Sequence, residues 1–111
     1  RDRRAAARMG QAVAAAEQLD AADRRLKYYR GVFLIVSKKD PAEAESLLKS
    51  YLATVPDNVD LPSHASTLEW LGSLYESQSR FSEAAEAYRR SLDLDPHNKT
   101  VEEALKKAQR K

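Results

Sequence analysis

The sequence contains no cysteine. That excludes a disulfide framework, a cysteine-held zinc ribbon and a cysteine nucleophile. Glycine and proline are scarce, at three and four in 111 residues, and aromatic residues make up only 7%. Barrels and sandwiches need turn residues and strand formers in number, so this alanine-rich composition points to helices. The longest apolar run, Val32-Phe33-Leu34-Ile35-Val36, is far shorter than the roughly 20 residues of a membrane span. No secretory signal pattern is visible, and the chain begins at Arg1, which reads as a fragment or a processed form. A glycine-rich phosphate loop, a G-x-S-x-G elbow and an H-E-x-x-H motif are all missing. His64 and His97, the two histidines, fall in turns with no cysteine to help them. The expectation is a chain with no catalytic residue, no metal site and no cofactor.

The hydrophobic fraction of 42% and charged fraction of 32% suit one soluble domain over residues 1–111, long enough to bury a core. A cytoplasmic location is expected, with periplasmic and organellar ones left open by the composition. The net charge of +2 is unevenly spread. Residues 1–30 hold eight basic residues (Arg1, Arg3, Arg4, Arg8, Arg24, Arg25, Lys27 and Arg30) against four acids. A basic end can touch nucleic acid or an anionic membrane. Here the basic residues alternate with alanine rather than with stacking aromatics, so a solvated helix face is favoured over either contact.

Apolar residues recur at intervals of three and four between Pro41, Pro56, Pro62 and Pro96, the period of helices. An alanine-rich stripe of Ala5, Met9, Ala12, Ala16 and Leu19 predicts a helix over residues 1–19. A second helix, from about 20 to 37, is apolar on two sides and so packed on two sides. A third begins where Asp40 can cap and Pro41 suits the first helical position. Residues 59–64 form an inserted linker. Helices follow over about 64–78 and 82–94, and a last one over 99–111 has Thr100 and Glu103 at capping-box spacing. That makes about six helices and no strand.

The informative feature is an internal repeat. Leu68-x2-Leu71-Gly72-x2-Tyr75 is followed by Ala84-x3-Tyr88-x2-Ser91-x4-Pro96, within a unit of 34 residues, 65–98. This pattern resembles the tetratricopeptide repeat. The same template falls on 25–58, another 34 residues, with Tyr28, Gly31, Val32 and Ile35, then Ala44, Leu48, Tyr51 and Pro56. This copy is degenerate: Gly31-Val32 reverses the large-then-glycine order, and its turn, Lys38-Lys39-Asp40-Pro41, has no glycine. The resemblance implies an all-α fold, a right-handed stack of antiparallel helix hairpins, with 99–111 as a capping helix. Gly72 and Ala84 would face each other where the hairpin crosses.

The resemblance also implies a non-catalytic scaffold that binds a partner peptide or helix in a concave groove lined by the first helix of each repeat. The lining residues are then Leu26, Tyr29, Arg30, Phe33 and Val36 from the first repeat, and Ser66, Glu69, Trp70, Ser73 and Glu76 from the second. Glu103 and Lys107 follow on the last helix. Trp70 and Tyr29 suit apolar anchors, and Glu69 and Glu76 a positive charge on the partner. The Lys, Asn and Arg clamp with which some members of this family hold chaperone tails is missing, since the matching places carry Tyr29, Phe33, Ser66, Trp70 and Glu103. Self-assembly into a homo-oligomer through an apolar groove is the alternative, and a basic contact through Arg1–Arg8 a more distant one. Asn98-Lys99-Thr100 matches a glycosylation sequon, but Asn98 and Thr100 read more simply as turn and cap residues.

Overall fold

Local capping chemistry sets the helix boundaries in this computed structural model, which describes residues 25–54 and 62–111. The expected helix over 1–19, the basic Arg1–Arg8 end and residues 59–61 of the 59–64 linker lie outside the described residues. Those residues form five helices and no strand, the all-α class expected. In chain order they are α1 (Arg25–Val36), α2 (Pro41–Thr54), α3 (His64–Ser77), α4 (Phe81–Leu94) and α5 (Lys99–Gln109).

Three of the starts have an identifiable reason. Pro41 opens α2 and the Asp40 carboxylate accepts from the Glu43 amide at 3.1 Å. Ser63 caps α3, its hydroxyl accepting from the Ser66 amide at 3.0 Å. The cap of α5 is Asn98, whose side chain accepts from the Val101 amide at 3.2 Å. Thr100 sits inside the first turn, so the Thr100/Glu103 capping box expected from spacing does not form.

The chain divides into two compact units, one up to Pro56 and one from Asp57 onward. In the first, α1 and α2 form a hairpin around buried Val32, Leu34, Ala44, Leu48 and Tyr51. Leu34 takes the buried place expected for Ile35, which is half-buried. In the second, α3 pairs with α4 and α5 packs on α4. Leu68, Leu71, Leu74, Tyr75, Ala84, Ala85, Ala87, Tyr88, Val101 and Ala108 make its core. Ser91, fully buried, donates to the Ala65 carbonyl at 2.8 Å. Burial therefore leaves its hydroxyl satisfied.

The first helices of the two hairpins end in the same way, although the first turn has a second left-handed residue, Asp40 (φ 38°). The Lys39 amide donates to the Leu34 carbonyl at 2.9 Å and Lys38 to Ile35 at 3.1 Å. The Arg80 amide donates to Tyr75 at 2.8 Å and Ser79 to Glu76 at 3.0 Å. This is the Schellman pattern, with the pivot residue left-handed. Glycine usually takes that position, but here Lys38 (φ 57°) and Ser79 (φ 59°) do. Arg80 then lays its guanidinium over the Tyr75 ring, 4.5 Å from the centroid.

Counting from these pivots explains the disturbed glycine order. Gly31 lies seven residues before Lys38, and Gly72 seven before Ser79. On the second helix, Leu48 and Tyr88 each lie seven after the first helical residue. A Cβ on Gly31 would meet Leu48 carbons at 2.9 Å, and one on Gly72 would meet Tyr88 ring carbons at 2.6 and 2.8 Å. The two glycines thus serve the same close crossing. The first turn simply holds one more residue, which shifts α1 by one place against the 34-residue template. All three nearest atoms to a Gly72 Cβ belong to Tyr88, so the ring, and not Ala84, occupies the space opposite Gly72.

Candidate functional site

The face of the second unit most suited to a partner is built on α3. Ser66, Glu69, Ser73 and Glu76 follow one another at three and four residues and share a stripe. Trp70 stands on the neighbouring row. Ser73 is exposed, and Ser66, Glu69, Trp70 and Glu76 are half-buried.

Two of these carboxylates are held from behind. The Tyr88 hydroxyl donates to Glu76 Oε1 at 2.6 Å. Asn98 Nδ2 donates to Glu69 Oε1 at 3.3 Å while its Oδ1 caps α5. Burial pushes the Tyr88 phenol well above its ordinary range, and the bond to Glu76 and the negative charges of Glu76 and Glu69 push it further. Tyr88 is therefore a neutral donor at any physiological pH, and Glu76 an oriented acceptor.

Beside Glu76, α5 supplies Thr100, Glu103, Ala104, Lys106 and Lys107, and its C-cap residue is Arg110. Together they line a depression of about 500 Å³. Glu76, Glu103 and Lys107, all expected on the partner-facing side, come together here. Thr100, Ala104, Lys106 and Arg110 were not singled out from the sequence. Their spacing from Glu103 and Lys107 on a helical wheel was the available signal. Tyr88 and Asn98, which orient the two carboxylates, were also missed as site residues. No periodicity announces a bond spanning 29 residues, as that of Asn98 to Glu69 does.

The first unit presents its own stripe. Leu26, Tyr29, Phe33 and Val36 lie at three and four residue intervals on α1, with Tyr29 41% and Val36 56% exposed. The Tyr29 ring meets Tyr28 edge-on at 5.5 Å, and Tyr28 leans on buried Tyr51 at 5.7 Å. Arg30, expected among the lining residues, pairs with Glu43 of α2 at 3.3 Å. This ties it to its own hairpin. Among the described residues, no group of three His, Cys, Asp or Glu could hold a metal ion, and no helix is long and apolar enough to cross a membrane.

Capped helix hairpins with a small residue at each crossing define a helical-repeat protein. The chain belongs to the tetratricopeptide repeat family, whose model matches residues 40–99, more than half of its length. No curated protein matches it. Repeats of this family generally mediate protein–protein interaction, and they are typically non-catalytic.

Proposed function

We propose that this chain is a non-catalytic interaction module that takes a partner segment on the α3/α5 face of its second unit. The observation that carries this reading is the depression that gathers Glu76, Glu103 and Lys107. Glu76 forms one wall, oriented by Tyr88, and the exposed row of α5 the other. Ser66, Glu69 and Ser73 extend the surface along α3, and Trp70 beside them is the anchor. Removing such an anchor typically costs about 2 kcal/mol or more of binding.

The test is selection of random twelve-residue peptides on the full chain, followed by amide chemical-shift mapping of the hits. Shifts at residues 66–76 and 100–110 are expected. Hits that move only other residues would sink the reading. A second reading, self-association through α1, is favoured by exposed Tyr29 and Val36 on one stripe with Leu26 and Phe33. A molar mass that rises with concentration in light scattering, and that Tyr29→Ala returns to the monomer value, would establish it.

A further inference from the structure

We propose that the partner segment taken by the α3/α5 depression is acidic and extended, with Asp or Glu at alternate positions held by Lys106, Lys107 and Arg110. The proposal rests on the reading above and deepens it. From the sequence, Glu69 and Glu76 suggest a positively charged partner. The structure adds a cationic wall beside Glu76, while Asn98 and Tyr88, both neutral donors, each take up one acceptor site of these carboxylates and leave their charge in place.

The cations are in the opposite situation. Lys106, Lys107 and Arg110 line the depression, all three are exposed, and none makes an ion pair or hydrogen bond to another side chain among the described residues. They face two carboxylates, Glu76 and Glu103, so the wall carries three positive charges against two negative ones and is net positive. Position at the last turn of α5 favours cations through the helix dipole. That term explains their presence but leaves three cations facing two carboxylates.

Spacing selects the shape of the ligand. Lys106 and Arg110, four residues apart, stand about 6 Å apart along the helix axis, at about 1.5 Å per residue. In an extended chain, alternate residues on one face repeat every 6.4–6.8 Å or roughly so. An acidic-x-acidic segment lying along α5 meets both cations with the same side of its backbone. Lys107 meets a flanking carboxylate. Thr100 and the Ala104 methyl leave room for the segment to lie close. A single chain-terminal carboxylate would use only one of these contacts.

The test uses the full chain and fluorescein-labelled peptides. One is an eight-residue Asp-Ser repeat with an amidated C-terminus, one is the same with a free C-terminus, and one is a Lys-Ser repeat. The amidated acidic peptide should bind, shift the amides of residues 100–110, and bind no more weakly than its free-carboxylate form. Lys107→Met with Arg110→Met, which keeps most of the apolar stems, should weaken it at least 10-fold. Lys99→Met, on the same helix but outside the depression, should change it less than 2-fold. Circular dichroism of each variant separates loss of binding from loss of the helix. An acidic peptide that leaves 100–110 unmoved overturns the proposal. So does binding that needs the free terminus, or that Lys99→Met weakens equally. If the Lys-Ser peptide binds at 100–110 instead, the acidic partner is wrong while the α3/α5 interaction face stands. If neither peptide moves 100–110 and the selected twelve-mers map elsewhere, the face itself is wrong.

Discussion

Seven residues before its left-handed turn residue each hairpin carries a glycine, yet Gly31 looks onto Leu48 and Gly72 onto the ring of Tyr88. Ten residues after the start of the second helix the sizes reverse: fully buried Tyr51 in the first unit, fully buried Ser91 in the second. The aromatic ring has moved along the second helix by three residues, nearly one turn. In the first unit it lies against Tyr28, and the hairpin's polar cross-ties run through Lys27 to Ser50 at 2.8 Å and Arg30 to Glu43. In the second, the ring sits where its hydroxyl reaches Glu76 of α3. The same close crossing is thus filled in one unit to complete a core, and in the other to orient a surface carboxylate as well.

The largest effect is expected at the displaced aromatic. Tyr51→Ala should destabilise the first unit by about 3–5 kcal/mol, the range for emptying a buried aromatic site. Hydrogen exchange of the α1 and α2 amides is the readout. Ser91→Ala, at the matching place, should cost only about 1 kcal/mol, since it removes one buried hydrogen bond and little volume. Equal losses would mean that the two positions are not equivalent.

Next come the glycines. Gly72→Ala forces a methyl onto a ring that is itself buried, and should cost about 1–3 kcal/mol in urea unfolding followed by Trp70 fluorescence. Gly31→Ala meets fully buried Leu48 less closely, at 2.9 Å, and gains about 1 kcal/mol of helix propensity. Its net loss should be the smaller of the two. A larger loss at Gly31 than at Gly72 would break the account of the two crossings.

Tyr88→Phe should cost about 1 kcal/mol through the lost bond to Glu76. It should also remove a pH dependence. The folded-state pKa of Tyr88 lies above its unfolded value of about 10, so the unfolded chain releases that proton first. The contribution is complete below pH 10 and falls as pH rises beyond it. Stability measured between pH 9 and 11.5 should therefore decline more steeply in the native chain than in the Phe variant. Parallel profiles would show that the hydroxyl is not held as described.

The smallest effects belong to the turns. Lys38→Gly and Ser79→Gly should each stabilise by about 0.5–1 kcal/mol, because glycine adopts the left-handed pivot without strain. Similar gains in the two variants would support the shared turn geometry, and a gain in only one would separate them.

Periodicity, caps and the 65–98 pattern were enough to read five described helices, the α2 start at Asp40-Pro41, and membership of a helical-repeat class. These features are local: a helix start depends on residues three or four apart, and the sequence displays them directly. The positions on α3 and α5 proposed to meet a partner follow from helical spacing for the same reason. What the sequence left open depended on contacts between elements. One extra residue in the first turn re-registers α1, and a linear template reads that shift as a reversed glycine order. The engagement of Glu69 and Glu76 needs Asn98 and Tyr88 brought from the next turn and helix. Helical spacing determined where these carboxylates stand, but only packing decided what they are bonded to. Packing also sets three cations, Lys106, Lys107 and Arg110, against Glu76 and Glu103 in one depression, a balance of charge that spacing along a single helix does not display.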